Sequence, residues 1–277
     1  MKNILIPYDF SNTAINALNY TKKMFDGLEV NIFLLDVYIS NPSEMMSDEK
    51  NDIYFNEIDN EIEDELKYLV DVLQKEKNNF SYEYVVKSNT LTKAVVNTIQ
   101  EKNIDLVVTG TKGTKSLAET FIGTNTMKII NANNLCPVLV VPTDYKFLNF
   151  NQIVFSTNYK RAFNTKELGY LNWLTTFKKC KLEVVNLAEE SFLSTKQQTN
   201  KENLKVILSN LNVEYKKLEW AASETNTIEK HIEITKSQLL VLINHKYTFF
   251  NQFLEENVVK KAAFHSKIPL LILPEIS

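Results

Sequence analysis

Cysteine is nearly absent: Cys136 and Cys180 are the only two among 277 residues, far apart and in no metal-like spacing. That excludes a disulfide framework and a thiolate zinc site, and it fits a reducing cytosol. No apolar run approaches the roughly 18 residues a membrane helix needs. The opening MKNILIPYDFS meets Asp9 too early for a secretory signal. The chain is therefore expected to be soluble and cytoplasmic, with no membrane partner. An excess of positive charge is missing too, since 31 Lys and Arg stand against 34 Asp and Glu for a net charge of -3. Such a weak field of that sign argues against a nucleic-acid partner. Neither GxxxxGK[ST] nor GxGxxG after the first strand occurs, which removes two common nucleotide signatures. What is present is apolar material for a core, 44% hydrophobic and 11% aromatic, which excludes a disordered chain.

At about 150 residues per domain, the length suggests two domains, or one large one. Charge divides the chain the same way. Residues 1–145 carry 13 basic and 21 acidic side chains, a net of -8, whereas residues 146–277 carry 18 and 13, a net of +5. Every Asp lies in the first part and all three His in the second. Four of the five glycines (Gly27, Gly110, Gly113, Gly123) precede the boundary, and only Gly169 follows it. The expected domains are 1–145 and 146–277.

Short β-branched runs alternate with helical patterns throughout. In the first part, strands are expected at 4–7, 30–37, 80–86, 105–109 and 136–142, with helices at 14–25, 91–100 and 124–133. Ile58, Ile62, Leu66, Leu69, Val70 and Leu73 recur at spacings of three and four, which predicts one long amphipathic helix. The second part repeats the order, with strands at 153–156, 182–187, 214–220, 239–243 and 268–274. Its helices are expected at 165–178, 200–211, 228–234 and 254–265. The closing segments CPVLVVP and IPLLILP match in both Pro positions and in the apolar block between. The expected fold is α/β: two tandem open-sheet domains, each with five mostly parallel strands and helices on both faces.

Chemistry concentrates in one loop. After the strand DLVVT comes GTKGTKSLAETFIGTNT, which holds three of the five glycines within 14 positions. Each glycine alone is consistent with a plain turn. Together, and followed by hydroxyl side chains at a helix start, they point to phosphate. Glycine lets backbone approach a bulky anion, and Gly123-Thr124-Asn125-Thr126 stands where unpaired N–H groups and the helix dipole attract it. The loop also leaves the carboxyl end of a parallel strand, where such sheets bind ligands.

Gly110, Gly113, Gly123 and Thr124 satisfy the spacing G-x2-G-x9-G-[ST], and in this the chain resembles the universal stress protein family. ILIPYDFS resembles that family's first strand and CPVLVVP its last, and the likeness runs through both halves as a tandem member. The resemblance implies a site for ATP or a related adenine nucleotide, with Mg²⁺ as an optional companion. It would place Pro7, Tyr8 and Asp9 along the adenosine and Val37 beside the base. Thr109 and Gly110 would lie near the ribose, and Gly113, Gly123, Thr124, Asn125 and Thr126 at the phosphates. Without the resemblance, Asp9 is equally well read as a helix cap. Lys112 and Lys115 are supporting candidates only.

The second half departs from this pattern. FSTNY stands opposite IPYDF, so Asn158 replaces Asp9 and Ser156 replaces Pro7. The loop NHKYTFFNQFLEEN has no glycine and carries Phe249, Phe250 and Phe253, so this half is expected to be degenerate as an adenine nucleotide site. His245 has no second ligand at metal spacing and is read as structural. Three functions stay open: a nucleotide-binding stress-response regulator with a protein partner, a weak ATP hydrolase or phosphotransferase, and a partner-binding scaffold. No general base or metal carboxylate pair is evident near the phosphate loop, so no catalytic residue and no metal site is assigned, and the regulator is preferred. Val138–Val141 and Leu270–Leu273 are apolar runs with no charge to blunt an edge, so the two final strands are expected to pair. That would make the chain an internal pseudo-dimer, with a homodimer as a further expectation.

Overall fold

The computed structural model describes residues 1–39, 48–111, 124–187, 193–221, 223–244 and 267–276. Among these are ten strands and seven helices in an α/β arrangement of mostly parallel strands. The expected helix at 254–265, Gly113, Gly123, Lys112, Lys115, His245 and the three phenylalanines after it lie outside the described residues. No helix among the described residues is long and apolar enough to cross a membrane.

The chain divides into two compact units. The first comprises Met1–Gly110 with Thr124–Cys136, and the second runs from Pro137 onward together with Thr111. In the first unit, β1 (Lys2–Pro7) is buried at its centre, and α1 (Asn12–Met24) follows with Ser11 as its N-cap. Next come β2 (Val30–Tyr38), the long α2 (Asp48–Leu73), β3 (Phe80–Ser88), α3 (Leu91–Glu101), β4 (Leu106–Thr111) and α4 (Thr124–Ala132). The strands lie in the order β3-β2-β1-β4, with β3–β2, β2–β1 and β1–β4 all parallel. Chain order reverses direction at β1, so the crevice between the carboxyl ends of β1 and β4 is the switch point where open sheets take ligands.

The second unit holds β5 (Val138–Pro142), β6 (Gln152–Ser156), α5 (Gly169–Lys178), β7 (Lys181–Asn186), α6 (Thr195–Ile207), β8 (Val213–Lys217), α7 (Glu224–Thr235), β9 (Leu239–Asn244) and β10 (Leu270–Pro274). Strand order here is β5-β10-β9-β6-β7-β8, parallel except where β10 meets β5. That antiparallel pair matches Leu270 with Val140 and Ile272 with Val138. The two final strands thus pair, and this pairing places β5 in the second unit although it closes the first half of the sequence.

Two helix starts differ from expectation for local reasons. Residues 165–168 form a turn rather than helix. Asn164 Oδ1 accepts from Glu167 N–H at 2.8 Å, and the buried Glu167 carboxylate takes the Arg161 guanidinium. Helix α6 begins five residues before expectation, because Ser194 and Gln197 form a reciprocal capping box that satisfies two orphan N–H groups. Burial also creates a charged knot in this unit. Glu183 on β7 is fully buried against Lys216 Nζ (2.5 Å) and His231. Burial opposes its charge, yet Lys216 and His231 outweigh that and hold the carboxyl below its ordinary range.

Candidate functional site

Three segments meet at the carboxyl edge of the first unit. Ile4 pairs with Leu106 and Leu5 with Val107, a register that sets Pro7 at the end of β1 beside Thr109 on β4. The chain then turns sharply after β1. Tyr8 N–H donates to Leu35 O at 2.8 Å, Tyr8 is buried, and its ring meets Phe10 edge-on at 5.2 Å. Phe10 sits at φ 55°, in the left-handed region that costs a non-glycine residue about 1 kcal/mol or more. This turn leaves Asp9 exposed, with Oδ1 accepting from Ser11 N–H at 3.2 Å. The cap of α1 is Ser11, whose Oγ accepts from Ala14 N–H. Asp9 therefore shapes the approach to the helix without capping it.

Gly110 has a reason that its sequence surroundings hide. A Cβ there would lie 2.6 Å from Thr13 O and 2.8 Å from Thr13 Cβ. The first turn of α1 thus packs directly on the end of β4, and only glycine fits. The Gly110 carbonyl then accepts from Thr126 Oγ1 at 3.0 Å, which ties the start of α4 to the end of β4. At the other end of α4, buried Asn133 donates to Cys136 O at 2.8 Å and accepts from Leu135 N–H and Cys136 N–H. With both ends fixed, the α4 N-terminus is held beside the switch point. Thr124 and Asn125 are exposed in its first turn, while Thr126 is buried.

Beside β1, Val37 is half-buried near the end of β2. Its neighbour Asp36 was not among the sequence candidates, being hidden inside an apolar run. Burial raises the Asp36 carboxyl, and Asp9 and Glu65 add to the rise. Burial, then Asp9, likewise raises the Tyr8 hydroxyl. The edge is therefore acidic around Asp9 and Asp36, and donor-rich at the start of α4. Among the described residues, no three His, Cys, Asp or Glu are grouped to hold a metal ion.

The corresponding edge of the second unit repeats the backbone and engages its carbonyls. Thr157 N–H donates to Val185 O as Tyr8 does to Leu35, and Tyr159 repeats φ 55°. Asn158 Oδ1 accepts from Lys160 N–H at 3.0 Å, as Asp9 does from Ser11. Here, however, three successive carbonyls are occupied by side chains. Asn186 donates to Thr157 O at 2.8 Å, Gln197 to Asn158 O at 2.9 Å, and Asn200 to Tyr159 O at 2.8 Å.

Comparison with known proteins agrees with the sequence likeness. The model of the universal stress protein family matches residues 1–142. Universal stress protein MJ0577 of Methanocaldococcus jannaschii is 27% identical over 158 residues, covering 50% of this chain and 94% of that protein. In structure, a universal stress protein from Archaeoglobus fulgidus superposes with a TM-score of 0.67 at 13% identity, covering 99% of this chain and 96% of the other. The functionally unknown protein PA1789 from Pseudomonas aeruginosa gives 0.56 at 11% identity, over 99% of this chain and 92% of its own.

Proposed function

The chain belongs to the universal stress protein family, and from that membership we propose that its first unit binds an adenine nucleotide, ATP or a relative, and acts as a nucleotide-dependent regulator. The observation that carries this reading is the switch-point crevice itself. There the end of β4 is pressed onto α1 through Gly110 and strapped to α4 through Thr126. Such bracing pre-places the α4 N-terminus, whose first-turn N–H groups and positive dipole end favour phosphate.

The residues fall into complementary roles. Asn125 and the Thr124 hydroxyl are exposed where phosphates would lie, and Thr126, whose hydroxyl is engaged by Gly110, offers its backbone N–H. Thr109 borders the ribose position. Asp9 presents a carboxylate acceptor suited to ribose hydroxyls or an exocyclic amine, and Pro7, Tyr8 and Val37 supply apolar surface toward the base. By the family spacing, Gly113 and Gly123 complete the phosphate loop. Mg²⁺ would come with the nucleotide, coordinated by its phosphate oxygens.

Nucleotide binding here is a signal rather than a reaction. A ligand that joins the end of β1 to the start of α4 stabilises the bound arrangement by its differential affinity alone, which is enough to alter a protein partner's access. The test is to denature freshly purified protein and identify the released small molecules by mass. A stoichiometric adenine nucleotide is expected. Recovery of none, together with no binding of added ATP at millimolar concentration, would overturn the reading.

A further inference from the structure

A path of short contacts runs along the first turn of α1 and joins the two ends of the switch-point crevice. Asp9 Oδ1 accepts from Ser11 N–H at 3.2 Å, and the Ser11 and Thr13 hydroxyls share a hydrogen bond of 2.7 Å. Thr13 then meets the end of β4 with no slack, since a Cβ on Gly110 would fall 2.6 Å from Thr13 O and 2.8 Å from Thr13 Cβ. Gly110 O closes the path by accepting from Thr126 Oγ1 at 3.0 Å. Asp9, Ser11, Thr13, Gly110 and Thr126 all belong to the first unit.

Among the described residues, the second unit repeats the turn without the path. Ile4 pairs with Leu106 and Ile153 with Leu239, so Asn158 stands where the first unit has Asp9, and Ile243 where it has Gly110. Lys160 and Ala162 then take the places of Ser11 and Thr13, and neither has a hydroxyl. A branched side chain at Ile243 rules out the backbone approach that glycine permits. Lys160 N–H still donates to Asn158 Oδ1, so the first link survives without the rest.

We propose that Thr13 is a positioning residue that couples the two ends of the nucleotide site, so that adenosine and phosphate groups bind cooperatively. The inference rests on the adenine-nucleotide reading above, in which Asp9 lies at the adenosine and the first turn of α4 at the phosphates. A ligand that engages Asp9 fixes the Ser11 amide, and with it the first turn of α1. Thr13 passes that order to Gly110 because the contact cannot compress, and Thr126 carries it into the first turn of α4. A second ligand then finds its donors already ordered and gives up less entropy on binding. Linkage makes the effect reciprocal, so phosphate strengthens adenosine by the same factor.

The experiment measures pyrophosphate affinity of the full chain by calorimetry, alone and with saturating adenosine, with ATP titrated in parallel. Adenosine should tighten pyrophosphate about fivefold in the parent chain. Thr13→Val removes the hydroxyl and keeps the branched shape. Each probe alone should then bind within about twofold of the parent, while the coupling factor falls to about one. Thr13→Ser keeps the hydroxyl and should keep the coupling, and Thr126→Val should abolish it from the other end. An unchanged factor in Thr13→Val, with or without weakening of both probes, would leave Thr13 a structural role only and overturn the proposal. ATP binding with no enhancement of pyrophosphate by adenosine in the parent would overturn this proposal alone. If ATP does not bind, the nucleotide reading falls and the proposal with it.

Discussion

The turn after β1 and the turn after β6 share their backbone and differ in what surrounds it. Phe10 and Tyr159 both sit at φ 55°, and Asp9 and Asn158 both accept from the amide two residues on. Around β6, side chains from β7 and α6 occupy three carbonyls in a row, and Tyr159 is buried to 2% exposure. Around β1, Asp9 stays exposed and Phe10 is 38% exposed. One backbone solution thus serves two ends. In the first unit it leaves Asp9 and Phe10 exposed, and in the second it becomes an anchoring point of the core. The second turn gains side-chain hydrogen bonds to its carbonyls, and Asn186 stands at the register position of Asp36.

The largest effect is expected where the final strands meet. Val140 and Ile272 are each 2% exposed, in a pairing free of charge. Val140→Lys with Ile272→Lys buries two ammonium groups and should cost about 4 kcal/mol or more, enough to unfold the second unit. Chemical denaturation followed by circular dichroism measures this. A variant that melts like the parent would place these strands outside the core.

Next comes a direct comparison of the twin turns. Tyr159→Gly should lose about 3 kcal/mol, since it empties a buried aromatic site. Phe10→Gly should be within about 1 kcal/mol of neutral, because relief of the left-handed strain offsets the lost edge-on contact with Tyr8 and the added chain entropy. Equal costs in urea titrations would show that the two turns are not used differently.

A smaller effect sharpens the electrostatic contrast. Burial pushes the Glu229 carboxyl on α7 up to about 6, with Lys267 lowering it and Glu233 raising it. A folded-state value above the unfolded one means that the protonated form is favoured on folding. The resulting penalty is absent below about pH 4.5 and grows as pH rises through 6. Glu229→Gln should therefore gain about 1 kcal/mol over the parent at pH 7 and nothing at pH 4. A gain that does not depend on pH would assign the effect to packing.

Much of this fold was legible because its strands are short apolar runs separated by strong helical periods. Val30–Tyr38 and Leu239–Asn244 each lie within a residue of the expected end. What escaped depends on contacts distant in sequence or on short polar signals. Ser194-x-x-Gln197 is a capping-box signature that could have fixed the start of α6. The turn at 165–168 needed Arg161 and Asn164 to be known as partners of Glu167. At the site, the spacing of Gly110 suggested approach to a ligand, but the residue that enforces glycine there is Thr13, 97 positions earlier and invisible to any motif. Asp36 was hidden because a lone acid inside VNIFLLDVY reads as the end of a strand.

We propose that one adenine nucleotide binds per chain, in the first unit. Isothermal calorimetry of the full chain with ATP and Mg²⁺ tests it most directly, with Asp9→Ala and Asn158→Ala as the matched pair. A stoichiometry of one is expected, with affinity falling about tenfold, or about 1.4 kcal/mol, in Asp9→Ala and unchanged in Asn158→Ala. Two equivalent sites, or binding lost through Asn158→Ala and kept in Asp9→Ala, would contradict it.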